Sequence, residues 1–202
     1  MSSFLNEKNV YLRPHAKNHK NTKIANMQIK AGANGICVAT VNEAEVMAKS
    51  GVKSILVANQ IVETNKIKRL IEISKKIEVI MIIDDFNNAD QISKIAENEK
   101  QKIDVLIDIN LNISENIPGV LDRCGIPFGK PVLELAKKVS TLNGINFRGI
   151  MGYDGGVYGV PLKNRKEEER KNYINPNSCY KYSTVDRKST RLNSSHTVIS
   201  YA

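Results

Sequence analysis

Val10-Tyr11-Leu12-Arg13-Pro14-His15-Ala16-Lys17-Asn18-His19-Lys20 is the stretch on which the reading of this chain turns. Side chains alternate between faces along an extended backbone. Val10, Leu12 and Ala16 therefore fall on one side, and Tyr11, Arg13, His15 and Lys17 on the other. The first face suits packing against helices. The second is rich in cations, and turning them inward costs too much desolvation to serve as mere filling. The stretch is thus a candidate site in which Lys17 reacts as an amine. Like-charge repulsion from Arg13, His15 and Lys20 would favour its uncharged form, the nucleophile for a carbonyl. A solvated basic loop has the same composition, and the residues alone leave both readings open.

Downstream, helical and strand patterns alternate. Ile24, Met27, Gln28 and Ala31 sit at helical spacing over 22–31, closed by Gly32. Residues 35–39 form a short apolar run that fits a buried parallel strand. Thr40 or Asn42 caps the next helix, where Glu43 and Glu45 suit the positive end of its dipole, and Gly51 ends it. Strands over 54–58, 78–83, 104–109 and 146–150 then alternate with helices over 62–75, 88–99 and 130–142, and 161–173 begins one more helix. Such alternation gives a parallel sheet covered by helices, either doubly wound or closing toward a barrel. No Gly-x-Gly-x-x-Gly follows the first strand, which favours the barrel. The expected fold is α/β, an incomplete parallel (β/α)8 TIM-type barrel with about six strands, the Lys17 segment being the first.

The residues just after each strand carry the chemistry. They are His15-Ala16-Lys17, Thr40, Asn59-Gln60, Asp84-Asp85, Asp108 to Arg123, and Tyr153-Asp154. In a parallel barrel all of these lie on the carboxyl-terminal face, where such folds hold their active sites. Adjacent carboxylates such as Asp84-Asp85 also serve to cap the following helix. His15 and His19, four apart, find no third ligand at suitable spacing, so no metal site is expected in this piece.

The 202 residues carry a formal charge of +9, but the lysines are scattered among acidic neighbours and aromatics are few, which argues against nucleic acid. No apolar run approaches the length of a membrane span and no secretory signal opens the chain, so the expected location is the cytoplasm. Cys37, Cys124 and Cys179 form neither a CxxC pair nor an even disulfide set and are expected as buried thiols. Residues 186–202 resemble a translated sequencing adapter and are set aside as a non-native tail, which leaves residues 1–185 as one partial barrel domain.

LRPHAKNHK (12–20), followed by IANMQIKAGANGICVATVNEAEVMAKSGVKSILVANQIV (24–62), is similar to the N-terminal region of the D-threonine aldolase and D-serine dehydratase family. That family places pyridoxal 5'-phosphate on an alanine-racemase-type barrel. The resemblance implies that Lys17 is the catalytic lysine that holds the cofactor, with Lys20 the second choice and His15 beside it. Asp122-Arg123-Cys124-Gly125 resembles the family loop whose arginine approaches the cofactor's phenolic oxygen, and Gly149-Ile150-Met151-Gly152-Tyr153-Asp154-Gly155 resembles its strand-end tyrosine motif. Arg123 and Tyr153 are thereby implied as cofactor-binding. Gly156 stands where relatives often have His, and 110–118 looks like an insertion before Arg123. The resemblance covers about half a typical member, so the chain reads as a fragment, expected to be weak or inactive alone.

What the resemblance implies for the complete protein is retro-aldol cleavage of small D-configured 3-hydroxy amino acids, with a divalent cation whose ligands lie elsewhere, in a homodimer. D-serine dehydratase chemistry and a non-catalytic pyridoxal-phosphate carrier are the alternatives. Asp84-Asp85 and the VANQIV stretch favour the aldolase.

Overall fold

In the computed structural model, which describes residues 5, 7–8, 10–110, 125–153 and 198–201, the apolar runs become the strands of one sheet. β1 (Ile36–Val38), β2 (Ser54–Gln60), β3 (Glu78–Ile83), β4 (Ile103–Asn110), β5 (Ile126–Pro127) and β6 (Ile145–Gly152) pair with one another in parallel. Their order is β1-β2-β3-β4-β6, with the two-residue β5 paired to β4 off that row. Between them run α1 (Thr22–Lys30), α2 (Val41–Lys49), α3 (Thr64–Ser74), α4 (Phe86–Asn98) and α5 (Lys130–Val139). This is the α/β architecture of a partial TIM-type barrel.

Local chemistry starts these helices where the sequence indicates. Asn21 accepts the N–H groups of Lys23 and Ile24, Thr40 accepts that of Glu43, and Asp85 accepts those of Asn87 and Asn88. Each side chain satisfies donors that the first helical turn leaves over, a contribution of about 1 kcal/mol per cap.

The strands bury both faces, but against different partners. Ile55, Val57, Val79, Met81, Ile83, Val105 and Ile107 belong to the large core that includes Ile67, Leu70, Ile71, Ile92 and Leu135 from the helices. The alternate residues Cys37, Leu56, Ile80, Ile82, Leu106 and Met151 form a second core made of strand residues alone, the apolar filling of the sheet's inner face. Period-2 alternation explains the split, and each large side chain so buried contributes roughly 1.5–3 kcal/mol.

At the amino-terminal ends of the strands this inner face turns polar. Arg13, only 8% exposed, places Nη2 3.4 Å from Glu78 Oε2, and Ser54 Oγ donates to the same carboxylate. Arg148 Nη1 lies 2.7 Å from Asp104 Oδ2 and 3.8 Å from Glu78 Oε1. Two guanidinium groups and two carboxylates thus close that end.

Three features depart from the expected elements. The Lys17 segment is not a full strand: His15 makes one isolated bridge to Cys37, after which residues 16–19 form a turn. Asn34 N–H donates to Leu12 O at 2.9 Å, but the return bond of a continuing ladder would fall to Pro14, which has no N–H. Within the segment Ala16 joins the helix-side core and Arg13 the inner face, as alternation requires, whereas Tyr11 is 67% exposed. The short β5 has no counterpart in the expected pattern. Val198–Tyr201, set aside with the tail, forms β7, antiparallel to β6. β6 is the last of the parallel strands, and β7 meets the backbone groups along its outer side. The helix expected over 161–173 lies outside the described residues. Among the described residues no helix is long and apolar enough to cross a membrane.

Gly144 packs its backbone against α4, donating its N–H to Ser93 Oγ at 3.0 Å, and a Cβ there would lie 2.2 Å from Ser93 O. Gly144→Ala should therefore lower the unfolding free energy in urea by about 1–3 kcal/mol, through displacement of backbone that has no room to move. An unchanged midpoint would contradict this packing.

Candidate active site

The carboxyl-terminal ends of the strands gather a second polar layer on the inner face. The pairing of β2 with β3 shifts register between Val57 and Gln60, and such irregularities re-aim side chains at strand ends. Gln60 emerges from the shift with its Nε2 donating to Asp84 Oδ2 at 3.0 Å and to Asp108 Oδ2 at 2.9 Å. One amide thereby ties together the ends of β2, β3 and β4. Asp108 is 1% exposed, where a carboxylate is tolerable only with hydrogen-bonding support. Burial pushes the Asp84 carboxyl up from its usual range, and neighbouring Asp85 adds to the rise; hydrogen bonds from its own backbone and from Gln60 partly oppose it.

Lys17 follows the bridge that ties its segment to β1. Its turn is pinned at both ends: Ala16 N–H donates to Cys37 O and Cys37 N–H to Pro14 O, each at 2.8 Å, and Lys20 N–H closes back on Ala16 O at 2.8 Å. His15 Nδ1 accepts the Lys17 backbone N–H at 3.2 Å. The lysine side chain itself is exposed, and its Nζ lies 6.0 Å from the centroid of the Tyr153 ring, one residue beyond β6. That distance is the outer reach of a cation–π contact. Three of the four anticipated site residues, Lys17, His15 and Tyr153, are therefore together. Arg123 lies outside the described residues, as do Asp154 and Gly156.

The expected crowd of cations around Lys17 is corrected by the structure. Arg13 shares a face with Lys17 but sits four residues earlier, roughly 13 Å along an extended chain, and its charge is met by Glu78 at the opposite end of the sheet. Lys20 Nζ is 3.2 Å from Glu43 Oε1. Glu43 Oε2 also accepts the Ala39 N–H at 2.8 Å. Burial alone would raise the Glu43 carboxyl, but the Ala39 N–H, the Lys20 ammonium and nearby His15 together hold it below its usual range. Its role goes beyond the favourable end of the α2 dipole.

Sequence reasoning placed Gln60, Asp84 and Asp108 at strand ends without joining them. The signal that joins them is spacing: they are separated by 24 residues each, and the same interval links Ser54 to Glu78 at the other end. Of the expected helix-capping pair, Asp85 caps α4 while Asp84 turns to Gln60. Cys37 is fully buried, and Cys124 and Cys179 lie outside the described residues. Among the described residues no three His, Cys, Asp or Glu side chains are grouped to hold a metal ion.

Comparison with known proteins follows the same geometry. Residues 7–175 match the family model for the alanine racemase N-terminal domain. A D-threonine aldolase from Arthrobacter sp. is 30% identical over 168 residues, which is 83% of this chain and 42% of that protein. A 3-hydroxy-D-aspartate aldolase from Paracoccus denitrificans (strain Pd 1222) is 30% identical over 147 residues, 72% of this chain and 36% of that one. The crystal structure of D-threonine aldolase from Filomicrobium marinum superposes with a TM-score of 0.67 at 33% identity, covering 74% of this chain and 38% of that one. The chain thus spans less than half the length of these relatives.

The upward shift at Asp84 has a definite sign in stability. A carboxyl that holds its proton more tightly folded than unfolded contributes stability that is fully present below the unfolded carboxyl pKa, near ~4, and is lost as pH rises through the folded value. Asp84→Asn does not titrate. Its stability relative to the unaltered protein should therefore increase from pH 3.5 to pH 7 in urea unfolding, and a pH-independent difference would refute the burial of this carboxylate.

Proposed function

The chain belongs to the alanine racemase N-terminal domain family, and from that membership we propose that it is the lysine-bearing part of a pyridoxal-phosphate-dependent lyase that cleaves D-configured 3-hydroxy amino acids. The aldolases among its relatives favour retro-aldol cleavage, to glycine and an aldehyde when the substrate is D-threonine. The observation that carries the reading is the approach of Lys17 Nζ to the Tyr153 ring at the carboxyl-terminal mouth of the sheet.

The donor set fits pyridoxal phosphate. An exposed primary amine is what its aldehyde requires, and an aromatic face beside that amine suits its flat ring. When bound, the cofactor supplies an electron sink for the pair released as the Cα–Cβ bond of the substrate breaks. The remaining work falls to side chains of this chain. Lys17 Nζ would hold the cofactor, and as a free amine it would serve as a base at the mouth. His15 Nδ1 holds the turn that aims Lys17, so its part is to position that amine. Tyr153 packs the ring in place. Gln60 keeps Asp84 and Asp108 from spreading apart, fixing the floor beneath. By its resemblance to the family loop, Arg123 would steady the cofactor's phenolate oxygen.

In the reaction the 3-hydroxyl proton departs as Cβ becomes the aldehyde carbon, and Cα takes up a proton to give glycine. A divalent cation, implied by the family and not by any group of His, Cys, Asp or Glu among the described residues, would polarise the substrate hydroxyl. The complete enzyme acts as a cytoplasmic homodimer on small-molecule substrates.

Two variants of the full-length protein test this. Lys17→Ala should abolish borohydride trapping of pyridoxal phosphate and reduce kcat for D-threonine cleavage by at least about a thousandfold. Tyr153→Ala should weaken cofactor binding roughly three- to tenfold, while Tyr153→Phe, which keeps the ring, changes it little. Release of ammonia in place of glycine and aldehyde would instead assign the dehydratase reaction, and full trapping in Lys17→Ala would remove Lys17 from the site.

A further inference from the structure

Two lysines three residues apart leave the same turn, and their amines keep different company. Lys17 Nζ rises to the Tyr153 ring, at 6.0 Å from its centroid. Lys20 Nζ turns to Glu43, at 3.2 Å from Oε1. Glu43 belongs to α2, its side chain is only 11% exposed, and its second oxygen is anchored by the Ala39 N–H. The carboxylate that meets Lys20 is therefore held by a different element, at the end of β1.

The backbone points the same way. Lys20 has φ +45°, a left-handed conformation that costs a non-glycine residue roughly 1 kcal/mol. Its N–H closes the turn on Ala16 O. This bend and the ion pair to Glu43 fix the direction Lys20 takes, away from the path of Lys17.

We infer that Glu43 is a positioning residue that decides which of the two lysines reacts, by holding the Lys20 ammonium in an ion pair and leaving Lys17 alone to meet a carbonyl. The inference rests on the reading of Lys17 as the cofactor lysine. An amine attacks through its lone pair, and an ammonium held by a carboxylate has none to offer until it gives up both a proton and its partner. Lys20 remains 65% exposed, so the ion pair changes its reactivity by a factor and does not block it. His15, which also faces Glu43, is occupied with the Lys17 backbone.

Labelling of the full-length protein tests the selection directly. Limiting pyridoxal phosphate condenses with an amine and loses water; borohydride then delivers hydride to the carbon–nitrogen double bond, leaving a stable secondary amine that peptide mapping locates. The unaltered protein should carry the label on Lys17. Glu43→Gln keeps an oxygen for the Ala39 N–H but loses the charge, and Lys20's share of label should rise roughly two- to fivefold. A second measurement needs neither the cofactor nor a variant. With limiting acetic anhydride, which converts an amine to its amide and releases acetate, Lys17 should react faster than Lys20, and ~1 M salt should narrow the gap by screening the ion pair. Label on Lys17 in the unaltered protein with no rise at Lys20 in Glu43→Gln, or a salt-independent acetylation ratio, would overturn the role of Glu43 alone. Label found on Lys20 or on neither lysine in the unaltered protein would overturn the Lys17 reading itself.

Discussion

Two backbone hydrogen bonds through Cys37 hold the turn that carries Lys17 in place. Cys37 donates to Pro14 and accepts from Ala16, so the segment carrying Lys17 is bound to the edge of β1 at a single bridge. Everything before the bridge is limited by Pro14, which has no N–H to extend the ladder, and everything after it is a turn. A side chain at the end of so short a pairing is free to lean over the strand ends, whereas one inside a longer ladder would stand on one face. The arrangement sacrifices regular pairing to bring an amine to the mouth of the sheet. Cys37 itself is buried in the inner core, so packing of its side chain and the hydrogen bonds of its backbone anchor the same point.

The inner face is organised in three layers along the strands. Charged groups at the amino-terminal end come in balanced numbers, with Arg13 and Arg148 against Glu78 and Asp104. Apolar side chains fill the middle. Acid predominates at the carboxyl-terminal end, where Gln60 bridges Asp84 and Asp108. The two polar layers do different things. Balanced charges offset part of each other's desolvation, so the lower layer closes the sheet without favouring any ligand. The upper layer keeps two carboxyl groups within reach of one amide donor, at the end of the strands where burial raises the Asp84 carboxyl. A carboxyl shifted by burial at the mouth of a sheet is the kind of group that functional sites collect.

Much of this was legible in the sequence because parallel strands buried on both sides are written as unbroken apolar runs. Val79-Ile80-Met81-Ile82-Ile83 admits hardly another reading, and its limits were set by Glu78 and Asp84, which lie in the two polar layers. Alternation also assigned Arg13 and Lys17 to one face, but a face is not a layer. Period 2 gives direction, and only the rise along the strand separates residues that share it. Taking Arg13 as a neighbour of Lys17 ignored that rise. Lys20 was misjudged for a different reason: its partner Glu43 comes from another element, and the pairing depends on a left-handed backbone that no propensity of lysine announces. β5 escaped notice because two residues carry no period at all.

The interval of 24 residues explains why polar groups meet at both ends of the sheet. From β2 through β4 one strand, one helix and their two turns make a unit of that length, so Ser54 pairs with Glu78 and Ile80 with Asp104 at equivalent heights. Ser54 therefore meets Glu78 at the lower end, and the outer surface repeats the rule in the pairs Glu45 with Arg69 and Lys75 with Glu99; at the upper end the register shift sets Gln60 opposite Ile82, and its side chain reaches on to Asp84 and Asp108. Lys17 precedes the first such unit and answers to no equivalent position in the later ones. The repeated units supply a scaffold whose mouth is set by register, and the one unrepeated segment supplies the amine. Contacts in that single turn can change while the scaffold's equivalences stay intact, because they are set by Pro14, the bridge to Cys37 and the ion pair of Lys20 with Glu43, and not by the register of the strands.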